Sequence, residues 1–226
     1  MFFSFASYNS PRTVYRCDLF WKPYKPEVWA KPEVPVKLDD IEVTQVRAAS
    51  KDGTQVPFFV VKRKGLAMDG SNPCVLYGYG GFNVSLTPEF IPTIVPYLEK
   101  GGIYVVANLR GGGEYGESWH QAGMRDRKQN VFDDLYAVAG WLATNGYTMA
   151  DRLAVWGGSN GGLLTGVAIT QRPDLWSCVV CQVPLLDMLR YQQFLMARFW
   201  VPEYGSAEDA DQFRWLRAYS PYHNIK

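Results

Sequence analysis

From about Asp39 onward the chain settles into short apolar runs separated by turn signals. "IEVTQVRAA" and "QVPFFVVKR" read as strands flanking "SKDGT", where Asp52-Gly53 suits a hairpin turn. Three strand-to-turn units follow: "PCVLY" runs into "GYGGFN", "GIYVVANL" into "RGGGEYG", and "RLAVW" into "GGSNGG". Between and after them lie helical patterns, "EFIPTIVPYLEK" (interrupted by prolines), "NVFDDLYAVAGWLATNG" and "GLLTGVAITQRP". The second of these places Asn130 at its cap and Gly146 at its stop. A last apolar strand, "SCVVCQVPLL", reads as buried. Alternating strands and helices predict an α/β fold with a mostly parallel sheet flanked by helices. In such sheets ligands gather at the carboxyl ends of strands, where all three glycine-rich turns lie.

The N-terminal stretch differs. "FFSFASYNSPRTVYRCDLF" reads as two short strands around "NSP", and the proline-rich "WKPYKPEVWAKPEVPVK" as an extended connector. Two strands cannot bury a core alone, so this piece is expected to belong to something larger.

Composition narrows the function classes. A chain of 226 residues with 47% apolar and 20% charged content suits one soluble globular core. Lys plus Arg (23) nearly balances Asp plus Glu (22), so no field favours nucleic acid or an anionic membrane. Aromatics reach 15%, which fits a ring-lined pocket as well as a rich core. Cys178 and Cys181 form C-x-x-C inside a strand pattern, where side chains three apart point to opposite faces. With no second pair and only two histidines, neither a metal nor a cofactor is expected. The few cysteines and the lack of a signal-like or membrane-spanning run lead to a cytoplasmic expectation.

Gly157-x-Ser159-x-Gly161 sits between a strand and a helix, the context of the nucleophile elbow of α/β-hydrolases. A serine there is held in a strained turn that only small neighbours tolerate, with the positive end of a helix dipole beside it. Packing of helix on sheet is the competing explanation for the glycines, and the context favours catalysis. Asn160 follows the nucleophile, so its backbone N–H is the expected first oxyanion donor. Tyr79 offers a second through its hydroxyl, or else fills space beside two glycines. Gly111-x-Gly113-x-x-Gly116 matches a dinucleotide fingerprint as a string. Glu114 within the turn would repel a pyrophosphate, so a structural turn with Arg110 and Glu114 bonding locally is expected.

A serine nucleophile needs a base. His120 precedes Ser159, against the fold's order of serine, acid, histidine, and His223 ends the chain, so both read as structural. Asp187 lies where some hydrolases place the acid, although a structural hydrogen bond is the stronger reading.

"LYGYGGFNVS", "ANLRGGGEYGESWHQAG", "NVFDDL", "GGSNGGLL", "QRPDLW" and "YSPYHNIK" together resemble the prolyl oligopeptidase family of serine peptidases, from about Lys51 to Lys226. The resemblance implies cleavage of short proline-containing peptides after proline, through an acyl-enzyme on Ser159. It implies Tyr79 and Asn160 as oxyanion donors, Trp200 as the ring that stacks on the substrate proline, and Phe82 and Tyr204 as further pocket walls. It also implies a monomeric parent without nucleic-acid or membrane partners. Residues 1–33 resemble the last strands of the family's β-propeller, and 34–226 an α/β-hydrolase catalytic domain lacking its C-terminal part. The triad Asp and His would then lie outside this sequence, and the chain alone is expected to be inactive. An oligopeptidase for basic residues, a dipeptidyl peptidase, or a non-catalytic hydrolase-like module are the alternatives.

Overall fold

β-branched and aromatic residues dominate the strands of the computed structural model, which describes residues 1–225. Strands β4 (Ile41–Ala49) and β5 (Gln55–Arg63) pair antiparallel through the Asp52-Gly53 hairpin, with Gly53 at φ 85°. Next come β6 (Cys74–Gly78), β7 (Ile103–Ala107), β8 (Leu153–Gly158) and β9 (Cys178–Gln182). They complete a six-stranded sheet of order β4-β5-β7-β6-β8-β9. The pairs β7–β6, β6–β8 and β8–β9 are parallel, and the hairpin adds two antiparallel pairs at one side.

Strand periodicity divides the core in two. Phe58, Val60, Ile103 and Val105 face helices α3 (Gln129–Thr144) and α4 (Asn160–Gln171), packing with Phe132, Leu135, Leu163 and Val167. Their sequence neighbours Val61, Tyr104 and Val106 face the other way. There they meet Ile94, Val95 and Leu98 of a 3-10 turn and the short helix α1 (Val95–Glu99). Pro92 and Pro96 limit this region, predicted as one helix, to those two short pieces.

The N-terminal residues form a separate antiparallel sheet of β1 (Phe2–Ser7), β2 (Ser10–Cys17) and β3 (Pro26–Ala30). The predicted connector therefore contains a strand: its prolines sit at the strand's first residue and in the flanks, where no ladder donor is needed. Tyr8, buried at the β1–β2 turn, reaches the second core and packs against Phe59 and Tyr104.

Three further expectations change. Cys178 and Cys181 are exposed, since among the described residues β9 has a strand partner on one side only, and all four cysteines are free. Asn130 does not cap α3; the 3-10 turn Arg125–Arg127 winds straight into the helix with Lys128 at the cap position, and Asn130 donates to the Ala122 carbonyl. Arg110 and Glu114 do not bond each other. The Glu114 carboxylate accepts from the Leu86 N–H and the Asn108 amide. The Arg110 guanidinium turns inward to Asp134 on α3 and to Asp52 in the β4–β5 hairpin. Among the described residues no helix is long and apolar enough to cross a membrane.

Asp134 has no solvent exposure and accepts from Arg110 Nη2 at 2.6 Å, the Arg110 N–H at 3.1 Å and Ser50 Oγ at 2.6 Å. Asp134→Ala leaves a buried guanidinium without its main partner. The expected cost is about 3–5 kcal/mol of unfolding free energy, read from the urea midpoint.

Candidate active site

At the end of β8 the chain turns sharply into α4, and the turn residue is Ser159. Its φ of 58° and ψ of −116° lie in a region that side-chain-bearing residues rarely occupy. The surroundings leave no room for a gentler path. A Cβ on Gly157 would come within 2.2 Å of the Gly161 carbonyl oxygen, and one on Gly161 within 2.6 Å of the Gly78 carbonyl oxygen. The turn is tied to its neighbours as well, since the Ser159 N–H donates to the Gln182 carbonyl at 3.0 Å. Its own carbonyl accepts from Gly162 and Leu163, starting the helix.

β6, next to β8 in the sheet, delivers Tyr79 immediately past its last residue. Burial raises the pKa of the Tyr79 phenol, with the nearby Ser159 hydroxyl acting in the opposite sense, so the phenol stays protonated near neutral pH. Asn160, the first residue of α4, has a backbone N–H without an intrahelical acceptor. The elements that end beside one another in a parallel sheet thus bring Ser159, Tyr79 and Asn160 together.

A cavity of about 400 Å³ opens beside Ser159, lined by Pro184, Leu185, Leu195, Met196 and Trp200 among others. Trp200 closes a short 3-10 turn, Ala197–Trp200, just before helix α5 (Val201–Tyr204). Phe82 stands edge-on to Trp200 at 6.3 Å and to Tyr204 at 5.5 Å between ring centroids. Tyr204 itself is fully buried, and its hydroxyl donates to Asn160 Oδ1 at 2.8 Å. It backs Phe82 and holds Asn160, and neither its ring nor that of Phe82 lines the cavity, which Trp200 alone of the three borders.

Asp187 also borders the cavity and accepts from Arg190. His223 Nδ1 is 2.9 Å from Ser220 Oγ and 3.9 Å from the Asp187 carboxylate. His120, on helix α2 (Glu117–Gln121), places Nε2 2.7 Å from Glu203. Among the described residues neither histidine hydrogen-bonds Ser159.

Beneath the site lies a set of residues to which sequence reasoning assigned no role. Lys128 is fully buried, and burial lowers its pKa to about 8, with Glu203 acting in the opposite sense. Its ammonium donates to the Gly80 carbonyl at 2.8 Å and to Asn160 Oδ1 at 3.2 Å, and lies 3.8 Å from Glu203. Glu203 in turn accepts from the Phe82 N–H at 3.0 Å. In the sequence Lys128 sits in "RDRKQN", a charge run that reads as a solvated face, so nothing local marked it.

Residues 88–226 match the model of the prolyl oligopeptidase family. The chain belongs to that family. Along its whole length it is 45% identical to a prolyl endopeptidase of Elizabethkingia miricola and 42% identical to one of Dictyostelium discoideum. It spans about a third of these relatives, 32% and 30% of their lengths respectively. A solved chain from a study of two prolyl endopeptidases superposes with a TM-score of 0.96 at 54% identity, covering all of this chain and 33% of that one. Prolyl oligopeptidase B of Galerina marginata, bound to a 25mer macrocyclization substrate, gives 0.96 at 36% identity, with 100% and 32% covered. The prolyl oligopeptidase family membership and the six-stranded sheet together establish the α/β-hydrolase fold.

The strain at Ser159 has a measurable consequence. Glycine occupies positive φ without penalty, whereas alanine retains the clash of a Cβ. Ser159→Gly is expected to exceed Ser159→Ala in stability by about 1–2 kcal/mol in chemical denaturation. Equal stabilities would mean the turn holds no strain.

Proposed function

We propose that this protein contributes the nucleophile and oxyanion site of a serine endopeptidase that cleaves short peptides on the carboxyl side of proline. The observation that carries the reading is a strained serine at the end of β8 with the Tyr79 phenol delivered beside it from the end of the adjacent strand β6. Ser159 Oγ attacks the scissile carbonyl carbon and forms a tetrahedral intermediate. The Tyr79 hydroxyl and the Asn160 N–H donate to its oxyanion, and collapse expels the amine and leaves an acyl-enzyme. Water then attacks the ester and frees Ser159. The serine must give up its proton in the first step, so the reading requires a base. Because His120 is paired with Glu203 and His223 lies on Ser220, the reading assigns base and acid to residues outside 1–226. In the same reading, residues 1–33 belong to a neighbouring β-propeller and 34–226 to the catalytic domain.

Specificity follows from the cavity. A pyrrolidine ring is rigid and apolar, and an indole face offers it a flat surface at little entropic cost. Trp200 supplies that face, Phe82 braces it edge-on, and Tyr204 supports Phe82 from behind. The apolar lining of Pro184, Leu185 and Met196 suits proline better than a basic side chain, because the Asp187 carboxylate on the wall is already paired with Arg190.

Two substitutions test this in protein expressed from its complete reading frame, with a chromogenic proline peptide as substrate. Tyr79→Phe is expected to lower kcat roughly 10- to 1000-fold with a smaller effect on KM. An unchanged rate removes Tyr79 from the mechanism. Trp200→Ala is expected to cost about 1–3 kcal/mol in kcat/KM on proline substrates and less on alanine ones. Equal losses on both would make Trp200 a packing residue.

A further inference from the structure

We propose that Lys128 is a positioning residue for the oxyanion site, clamping the loop that carries Tyr79 onto the helix end that carries Asn160. The inference rests on the acyl-transfer reading of Ser159, Tyr79 and Asn160. It concerns a residue that touches none of the reacting atoms.

The two oxyanion donors belong to different elements. Tyr79 follows β6, and Asn160 starts α4. Their relative position is fixed through the Asn160 side chain, whose Nδ2 donates to the Tyr79 carbonyl at 2.5 Å. An amide can flip and exchange its oxygen with its nitrogen at little steric cost, which would break that contact. The Lys128 ammonium is donor-only, so the atom of Asn160 that faces it must be the oxygen. The Tyr204 hydroxyl donates to the same oxygen. With Oδ1 held, Nδ2 is directed at Tyr79. Lys128 also donates to the Gly80 carbonyl, the residue after Tyr79, so one ammonium grips both sides of the junction.

Contacts at the junction are tight. A Cβ on Gly81 would lie 2.6 Å from Asn160 Nδ2, so loop and side chain already touch. The charges facing Lys128 are accounted for by Glu203, which in turn holds His120 and the Phe82 N–H. The ammonium also sits 5.4 Å from the centre of the Tyr204 ring. Burying a lysine is costly, and a neutral donor could satisfy one carbonyl. A charged donor on a long stem bonds Gly80 and Asn160 together and meets the Glu203 carboxylate 3.8 Å away, which explains why lysine is used here.

The test compares Lys128→Met with the double variant Lys128→Met/Glu203→Gln, which removes the carboxylate charge that the first change leaves unpaired. Ser159→Ala is the control, all in protein from the complete reading frame. Lys128→Met is expected to lower kcat about 10- to 100-fold with KM within about threefold, since a small displacement of oriented donors is felt mainly in the transition state. The double variant is expected to regain the unfolding midpoint but not kcat. In isotopically labelled protein the Asn160 side-chain amide should exchange with solvent faster in both Lys128 variants. Recovery of kcat together with stability would overturn the proposal, because Lys128 would then matter only for folding. A kcat unchanged in Lys128→Met, or an Asn160 amide unchanged in exchange, would overturn it as well. If Ser159→Ala retains turnover, the acyl-transfer reading fails and the role of Lys128 in turnover fails with it. If only Ser159→Ala is inactive and Lys128→Met turns over normally, the clamp alone is wrong.

Discussion

Backbone-to-backbone approach at the start of α4 is the constraint on which the rest of this structure depends. Gly157, Gly161 and the Gly78 carbonyl lie so close that no side chain fits among them. The helix can therefore dock directly on the carboxyl ends of β6 and β8, which holds Ser159 at positive φ and leaves Tyr79 alongside it. The strain is sustained because hydrogen bonds to Gln182, Gly162 and Leu163 over-determine the turn. The hydrophobic core serves the same end: Leu163 and Val167 anchor α4 against Leu76 and Val155 and remove its freedom to retreat.

Around that turn the molecule uses polar groups where an ordinary core would use apolar ones. Arg110 and Asp134 tie α3 to the hairpin on the antiparallel side of the sheet. Lys128, at the N-terminal end of the same helix, ties α3 to the elbow. A helix held by buried polar contacts near its start on two sides cannot slide along the sheet as a purely apolar one might, because each contact demands a defined partner atom.

The local features were readable from the sequence, and the long-range ones were not. The Asp52-Gly53 hairpin, the strand-turn-helix at Ser159 and the position of Tyr79 after a strand all follow from neighbours within a few residues. What escaped is what tertiary packing decides. Asn130 looked like a cap because it is a good one in isolation, but a preceding 3-10 turn had already supplied the first turn. Cys178 and Cys181 looked buried because their segment is apolar, yet among the described residues β9 pairs on one side only, with β8. Tyr204 looked like a pocket wall from the resemblance, and the structure sets it behind Phe82. Lys128 and Glu203 are 75 positions apart, and no periodicity connects them.

The Lys128–Glu203–His120 chain also bears on how such a sequence can drift. Lys128 and Glu203 face each other in a place water does not reach, and the half-buried His120 hydrogen-bonds the same carboxylate, so replacing one member strands a charge or a polar atom. Neighbouring surface positions such as Arg127 are free to wander singly, whereas these three are bound to one another's history. Among related sequences they should be kept together or be exchanged together for an uncharged set, and an intermediate with only one of them altered should be rare.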